Sequence, residues 1–280
     1  MRPNGDQNLA DLCTGVVCGW SKQASVSKEK SANESSAREC SCREHSVEAR
    51  LIQSSLLPTR GLCHDSLEIA YRFLPFSEVG GDFLDFFSLP DGFIGIYLGD
   101  VVGKGLPAAM YAALVSGTLR GIHKSGTDTA SVLTRLNDRL WQRPLPGRFS
   151  SILYALFNPA TRELVFSNAA MPLPLLVSGA SCEPLGEGGF PVGMFPSVTY
   201  IRNVALLHPG DSVLFATDGL HELLNPNGDE FCAAQMEKVW AQCGHKSASE
   251  SADFVFARQS AFSDGTPPHD DIAALVLRVL

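Results

Sequence analysis

One stretch constrains the fold more than any other, residues 79–105, which read VGGDFLDFFSLPDGFIGIYLGDVVGKG. Its central apolar run, residues 93–98, is short and is bounded by turn residues, which favours a buried strand over a helix. A turn at residues 90–92 folds this strand against the preceding apolar segment as a hairpin. The hairpin is therefore expected to bring three carboxylates to one end, those of Asp82, Asp85 and Asp100.

Acidic residues recur in the same context further along the chain, at the end or the entrance of an apolar strand. They are Asp218 in LFATDGLHE and the pair Asp270 and Asp271 in HDDIAALVL. A single aspartate at such a place is usually a turn former or a helix cap, but four such sites in one chain indicate a shared role. Carboxylates crowded beside an apolar core repel one another, so a site of this kind is tolerated mainly where a cation neutralises it.

The chemistry of these side chains narrows the choice of cation. Hard oxygen ligands suit Mg²⁺ or Mn²⁺, and the absence of matched Cys or His ligands argues against zinc. Two such ions can activate a water and can hold both the attacking and the leaving oxygen of a phosphoryl transfer. The pattern therefore indicates a site for Mg²⁺ or Mn²⁺, the kind of ion that can serve phosphoryl transfer.

Composition excludes several classes of function. The chain has 280 residues, of which 45% are apolar, and this is ample for a packed core. Its formal net charge of -8 argues against general binding to nucleic acid or to an anionic membrane. No apolar run approaches the roughly 18 to 20 residues that span a bilayer. Residues 1–15 have no continuous apolar core and no cleavage site of a signal peptide, so we expect a cytoplasmic protein.

The chain divides into three regions by pattern. Residues 1–44 are rich in Ser, Lys, Glu and Asn without a sustained period, which predicts disorder. Within residues 45–60, apolar residues recur at helical spacing from Ser46 until Pro58 stops the run, which predicts a linker helix. Residues 61–280 form the main domain.

The eight cysteines of the chain do not indicate disulfides, because a long chain with a large apolar core is more typical of a reduced compartment. Cys40, Cys42 and His45 form a C-x-C-x-x-H cluster that could bind zinc. The spacing of this cluster matches no common structural zinc module, so we interpret its two cysteines as free thiols in a mobile segment.

Strands and helices follow one another in groups along the main domain. The predicted strands are 67–73, 152–157, 163–167, 173–177, 211–216 and 272–280, besides the hairpin. The predicted helices are 106–122, an amphipathic helix with Asp128 as its N-cap, about 230–243 and about 249–262. Strands clustered in antiparallel runs with paired helices between them indicate a layered α+β fold rather than a parallel one.

Four motifs in this order and spacing resemble a known family: VGGDFLD, GDVVGKG, TDGLHELLNPNGDEF and DDIAALVLR. The chain resembles, over about residues 46–280, the bacterial metal-dependent serine/threonine phosphatases of the type 2C class (PPM). The subfamily is the one of the sporulation stage II phosphatase and the stress-response regulatory phosphatases. The resemblance implies a four-layer αββα sandwich, in which two antiparallel sheets are flanked by helix pairs, with two Mn²⁺ or Mg²⁺ ions at one edge.

The resemblance also implies roles for individual residues. Asp100 is expected to bridge the two ions, and the carbonyl of Val101 is expected to bind one of them. Asp218 and Asp270 are expected to bind one ion. Asp82 is expected to serve the other, directly or through a water, and Asp85 is a further candidate ligand. We expect Asp271 to lie behind the ligands, because adjacent residues on a strand point to opposite faces. Lys104 and the helix start at Gly105 offer a cation and free N–H groups to a phosphate, although a solvated turn is an equal interpretation of Lys104.

The chain departs from the family pattern at two places. Val102 stands where the wider class has a histidine, so that candidate general acid is missing. Residues 168–172 read NAAMP where the subfamily has Asn-Ala-Gly-His before a proline. These departures keep open an alternative function, a catalytically weak domain that binds its partners without turning them over.

The subfamily further implies a substrate and a form of control. The expected substrate is a phosphoserine or phosphothreonine on a small regulatory protein, such as an anti-sigma-factor antagonist. The helix at 46–58 resembles the segment that couples regulatory inputs to the catalytic domain. It is therefore expected to control activity, either through a homodimer or through an upstream regulator.

Overall fold

The computed structural model describes residues 47–123, 128–179 and 181–280. The segment predicted to be disordered, residues 1–44, lies outside the described residues, as does its Cys40, Cys42 and His45 cluster.

The described chain alternates between groups of strands and pairs of helices. The strands are β1 (Leu62–His64), β2 (Leu67–Leu74), β3 (Phe83–Ser88), β4 (Ile94–Val101), β5 (Ser150–Asn158), β6 (Glu163–Ala169), β7 (Leu175–Ser178), β8 (Ser181–Pro184), β9 (Asn203–Leu206), β10 (Ser212–Ala216) and β11 (Ile272–Val279). The helices are α1 (47–56), α2 (Gly105–Ile122), α3 (Thr129–Trp141), α4 (Ala233–Trp240) and α5 (Ala248–Ser263).

The strands form two sheets in which every pair is antiparallel. Sheet I has the order β1-β2-β11-β10-β7-β8, and sheet II has the order β3-β4-β5-β6-β9. The predicted hairpin is confirmed, since β3 pairs with β4 from Phe83 opposite Gly99 to Ser88 opposite Ile94.

Alternation along the strands builds the core between the sheets. In β4, Ile94, Ile96 and Leu98 pack into the layer between the sheets, while Tyr97 and Val101 face the helices on the other side. The same period of two sends Ala273, Leu275 and Leu277 of β11 into the layer between the sheets. Even positions of β4 and odd positions of β11 therefore meet in one core.

A helix pair covers the outer face of each sheet. The apolar side of α2 and α3 packs on sheet II, and that of α4 and α5 packs on sheet I around the fully buried Trp240. The N-caps agree with the chemistry of their residues: Asp128 accepts a hydrogen bond from the Ser131 N–H, and Ser247 forms a capping box with Glu250. The predicted four-layer αββα sandwich is confirmed.

The sequence-based prediction missed the edges of the sheets. Strands β1, β8 and β9 are three or four residues long and only partly buried, so they carry almost no hydrophobic period for a prediction to find. The helix expected at about 230–243 is shorter, because α4 ends at Trp240 and is followed by a 3-10 turn at Ala241–Cys243.

None of the helices within the described residues is both long and apolar enough to cross a membrane.

Candidate metal centre

Four carboxylates from the two sheets meet at one end of the sandwich, and we call them the acid cluster: Asp82, Asp100, Asp218 and Asp270. Asp100 lies near the end of β4 and Asp82 directly before β3, both in sheet II. Asp218 follows β10 and Asp270 precedes β11, both in sheet I. Because neighbouring strands are antiparallel, the end of one lies beside the start of the next, and four separate motifs converge.

The glycine pair before Asp82 allows this convergence. A Cβ on Gly80 would overlap the carboxylate of Asp271. A Cβ on Gly81 would lie 2.8 Å from the Val101 carbonyl oxygen and 3.2 Å from Asp100 Oδ1. The backbone before Asp82 therefore packs directly against the Asp271 carboxylate and the Val101 carbonyl oxygen. Only glycine, which has no side chain, permits so close an approach.

Asp82 is the most deeply buried member of the cluster, with 2% of its surface exposed. The hydroxyl of Thr217 donates a hydrogen bond of 2.8 Å to its Oδ2. Burial raises the pKa of Asp82 well above its usual range, and repulsion from Asp100 and then Asp271 raises it further. The carboxylate of Asp82 is thus oriented by Thr217, which follows a strand of sheet I, although Asp82 itself directly precedes the edge strand of sheet II.

Repulsion links the other members of the cluster. Burial, followed by the charges of Asp218 and Asp270, raises the pKa of Asp100 to about 7. Burial and then the charge of Asp270 raise the pKa of Asp218. The cluster therefore crowds negative charge from the buried Asp82 to the exposed Asp218, and a bound cation would relieve this repulsion.

Asp271 lies behind the cluster and organises the backbone. Its Oδ1 accepts a hydrogen bond of 2.7 Å from the Phe76 N–H, and its Oδ2 accepts one of 2.6 Å from the Gly81 N–H and one of 3.4 Å from the Asp82 N–H. Asp271 therefore ties the loop that carries Asp82 to the start of β11.

The structure places Lys104 beside the cluster, although 46% of its side-chain surface is exposed to solvent. Its Nζ lies 3.1 Å from Asp270 Oδ2, and it also donates to the His269 carbonyl. The turn around Lys104 requires glycine on both sides of it, because Gly103 and Gly105 have φ of +100° and +69°. The predicted contact of Lys104 and of the Gly105 helix start with a phosphate remains a prediction.

The structure does not bring Asp85 to the cluster, which corrects the expectation that it binds a metal. Asp85 lies on the face of β3 that is turned to the helices, where its Oδ2 pairs with Arg120 Nη2 of α2 at 2.8 Å. The hydroxyl of Tyr97 lies 3.4 Å from the same oxygen. The reason is the strand period: Asp82 and Asp85 are an odd number of residues apart, so they point to opposite faces.

The donor set fits a hard divalent cation. The cluster offers carboxylate oxygens together with the carbonyl of Val101, and these are the ligands that Mg²⁺ and Mn²⁺ prefer. As the side chains are oriented, no three acidic, histidine or cysteine side chains in residues 47–123, 128–179 and 181–280 form a coordination site for one ion. A cation would therefore bind with rotation of these carboxylates, including release of Asp270 from Lys104.

Sequence reasoning missed three residues that shape the site: Thr217, Gly80 and Gly81. Thr217 also accepts a hydrogen bond of 2.9 Å from the Ala273 N–H, so it joins β10 to β11 and orients Asp82 at the same time. The sequence carried a signal for them in their positions. Gly81 and Thr217 each directly precede an acid of the cluster, and Gly80 directly precedes Gly81.

The NAAMP segment has an unusual backbone at Ala170, whose φ is +65°. Asn168 closes the turn on both sides: its Oδ1 accepts from the Met171 N–H at 2.8 Å, and its Nδ2 donates to the Met171 carbonyl at 3.0 Å. Met171 is buried between the sheets. The chain thus keeps a left-handed turn without a glycine, and it fills the place of the family's histidine with an apolar side chain.

Replacing Ala170 with glycine should stabilise the protein by about 0.5–1 kcal/mol. The left-handed conformation costs alanine about 1–2 kcal/mol, which exceeds the additional entropy of about 0.5–1 kcal/mol that glycine loses on folding. Denaturant unfolding measures the difference. The matched control is Ala169→Gly in regular strand β6, which should destabilise; equal losses in both variants would contradict the assignment.

Comparison with solved structures shows which known domains share this fold. The SiaA-PP2C domain of Pseudomonas aeruginosa has the same fold, with a TM-score of 0.76 and 21% identity over 86% of this chain and 98% of that one. The PP2C phosphatase domain with a regulatory fragment of SpoIIE from Bacillus subtilis aligns with a TM-score of 0.69 and 17% identity, covering 76% of this chain and 61% of that one. The fold is that of the PP2C phosphatase domains.

The family follows from the sequence comparison. The family model of stage II sporulation protein E (SpoIIE) matches residues 90–280, and the chain belongs to this family. Phosphoserine phosphatase RsbU of Bacillus subtilis (strain 168) is 24% identical over 81% of this chain and 68% of its own length. Protein IcfG of Synechocystis (strain PCC 6803) is 25% identical over 81% of this chain and 40% of its own length.

Proposed function

We propose that this chain hydrolyses phosphoserine or phosphothreonine on a regulatory protein, using two Mn²⁺ or Mg²⁺ ions bound by the acid cluster. The observation that carries the proposal is the meeting of four carboxylates from both sheets beside the Val101 carbonyl. Family membership supports the reaction class, and the name of RsbU supports a phosphoserine substrate.

The residues of the chain would divide the work as follows. Asp100 would serve both ions, Asp218 and Asp270 one ion, and Asp82 the other, with the Val101 carbonyl as a neutral ligand. When bound, two divalent cations polarise the phosphoryl group and lower the pKa of a water. Thr217 holds Asp82 in orientation, and Asp271 holds the loop that carries it.

Val102 stands two residues after Asp100, where the wider class has a histidine. Protonation of the leaving serine oxygen therefore does not depend on a histidine at this position. Activity on an activated aryl phosphate, whose leaving group needs little protonation, should accordingly be as good a test of the centre as activity on a peptide.

The direct test is hydrolysis of an aryl phosphate by the full chain with millimolar Mn²⁺ or Mg²⁺, and after chelation. Turnover that requires the cation supports the proposal. A folded protein that binds the cation but releases no phosphate would instead support the alternative, a domain that only binds its partners. Calorimetric titration with Mn²⁺ would give the number of ions.

A protein substrate is supported by an apolar surface near the centre. Phe190 and Phe195 are exposed and pack edge to face with ring centroids 5.3 Å apart. Between them, Val192 pairs with Ser150, whose hydroxyl donates to the Asp100 carbonyl. Exposed pairs of aromatic side chains are typical of a protein contact, and this pair lies two and three residues from the strand partner of Ser150. Incubation with a phosphorylated anti-sigma-factor antagonist from the same genome tests this substrate; no phosphate release would contradict it.

Helix α1 is placed to influence the centre, which supports the proposal that it controls activity. Gln53 Nε2 donates to the Gly80 carbonyl at 2.8 Å, and the Gly80 N–H donates to Gln53 Oε1 at 3.1 Å. Arg120 of α2 donates to the Leu56 carbonyl at 2.9 Å. Three apolar residues of α1 are exposed, which suits a homodimer or an upstream regulator: Val47, Leu51 and Ile52.

Replacing Gln53 with leucine should change turnover by about 2- to 30-fold, the range of coupling energies between linked sites. Leucine keeps the volume but removes both hydrogen bonds to Gly80, two residues before Asp82. Steady-state kinetics on an aryl phosphate measure the effect, and the exposed Ser55→Ala on the same helix is the control. Unchanged turnover both in this variant and in a folded protein without residues 1–58 would contradict control by α1.

A further inference from the structure

Arg148 lies in the loop between α3 and β5 and holds the backbone directly after Asp100 and Val101. Its Nη1 donates a hydrogen bond of 2.6 Å to the Val102 carbonyl. The Val102 N–H donates to the Phe149 carbonyl at 3.2 Å. Both backbone polar groups of Val102 are therefore satisfied by one neighbouring pair of residues.

The same segment holds Asp100 as well. The Ser150 hydroxyl donates to the Asp100 carbonyl at 2.7 Å, and Val101 and Ser150 are direct partners in the β4–β5 ladder. Residues 148–150 thus fix the backbone at Asp100 and at Val102. The Val101 carbonyl lies between these two fixed points, so its direction depends on both.

The turn after Val102 is shaped to receive the guanidinium. Gly103 has φ of +100°, and a Cβ at this position would overlap Arg148 Nη1. Among the described residues, the Val102 carbonyl is the one hydrogen-bond acceptor of the Arg148 side chain, and no carboxylate there forms an ion pair with it. The contact that the structure shows for the guanidinium is therefore directed at this turn.

We propose that Arg148 is a positioning residue for the cation: by holding the Val102 carbonyl, it directs the carbonyl of Val101 and the carboxylate of Asp100 toward the ion. The inference rests on the proposed function of the acid cluster, and Arg148 itself touches neither the cation nor the phosphate. Groups that orient metal ligands typically contribute about 10- to 100-fold to metal affinity.

The experiment compares Mn²⁺ binding by calorimetry in the wild-type chain, Arg148→Met and Arg148→Lys. Methionine keeps much of the volume without a donor, and we expect it to weaken Mn²⁺ binding by at least about 10-fold. Lysine can still donate one hydrogen bond to the Val102 carbonyl, so it should recover most of the affinity. The control is Arg139→Met on the exposed side of α3, which should bind as the wild type does.

Kinetics on an aryl phosphate separate this role from a contact with the substrate. If Arg148 acts through the ligands, the Mn²⁺ concentration for half-maximal activity rises in Arg148→Met, while KM at saturating Mn²⁺ stays near the wild-type value. A raised KM at saturating Mn²⁺ with unchanged Mn²⁺ affinity would overturn the proposal.

Two further outcomes are distinguishable. If the wild-type chain binds no Mn²⁺, the proposed function itself fails. If the wild-type chain binds Mn²⁺ and Arg148→Met binds it as tightly as the wild type does, only the positioning role fails. Should Arg148→Met not fold, Arg148→Gln takes its place, because its amide is too short to reach the Val102 carbonyl: at least about 10-fold weaker binding in a folded chain supports the proposal, and wild-type affinity overturns it.

Discussion

Replacing Asp100 with asparagine should abolish phosphatase activity and stabilise the metal-free protein. Asparagine keeps the shape but removes the charge that would serve both ions. Even residues that only orient ligands contribute about 10- to 100-fold, so we expect turnover to fall by more than about 100-fold. Aryl phosphate hydrolysis and Mn²⁺ calorimetry measure this loss.

The gain in stability follows from the pKa of Asp100, which burial and neighbouring charges raise from 3.8 to about 7. A carboxyl whose pKa is raised by folding contributes stability at low pH, and this contribution is lost as the pH rises through the folded pKa. The metal-free wild-type protein should therefore lose stability between about pH 4 and pH 7. In Asp100→Asn this loss should shrink, with a gain of about 1–3 kcal/mol at pH 7.

Chelated samples across this pH range test the prediction by denaturant unfolding. Asp85→Asn is the matched control, since Asp85 is paired with Arg120 on the other face of the hairpin. It should lose stability rather than gain it, and it should keep Mn²⁺ binding. Near-normal turnover of Asp100→Asn, or equal effects of the two substitutions on Mn²⁺ binding, would contradict the assignment.

Replacing Asp271 with alanine should destabilise the protein by about 2–4 kcal/mol and weaken Mn²⁺ binding. The substitution leaves the N–H groups of Phe76, Gly81 and Asp82 without their acceptor, at about 1–3 kcal/mol for each group that stays buried. Removing one negative charge next to Asp82 offsets part of this loss. We expect a net loss of stability, because three hydrogen bonds are broken and only one charge repulsion is relieved.

A matched control for Asp271 lies at the opposite end of β10. Asp211 is also buried, and its Oδ2 accepts a hydrogen bond of 2.8 Å from the His208 N–H. Asp211→Ala should therefore destabilise the fold without changing Mn²⁺ affinity. If both variants lower Mn²⁺ affinity equally, the effect of Asp271 is a general loss of structure and not the release of the loop that carries Asp82.

The sequence predicted the layers of this fold because its core elements carry strong periodic signals. The hairpin around Asp100, the helix α2 and the strand β11 all combine long apolar patterns with clear turn or cap residues. The expectation that α2 is largely buried was wrong, because its apolar residues Leu106, Met110 and Leu114 lie on an exposed face. The edge strands β1, β8 and β9 could not be found in the same way, because their pairing comes from neighbours that are distant in the sequence and not from their own period.

The sequence did not predict which way each acidic side chain of the site points. Motifs indicated which acids matter, but whether a side chain faces the core or the helices depends on the strand register. Asp85 shows this limit, although its odd spacing from Asp82 already contained the signal. Lys104, Thr217 and Arg148 show a second limit: their partners lie in segments far away along the chain, so only the folded structure reveals them.

The acid cluster takes Asp82 and Asp100 from one sheet and Asp218 and Asp270 from the other. An ion shared among them would act as a cross-link between two layers that are otherwise joined at this end by side chains such as Thr217 and Asp271. Binding of the ion and rigidity of this end of the interface between the two sheets are then coupled. Any partner that shifts one sheet edge by a small distance would change the affinity for the ion, and the ion would in turn resist that shift.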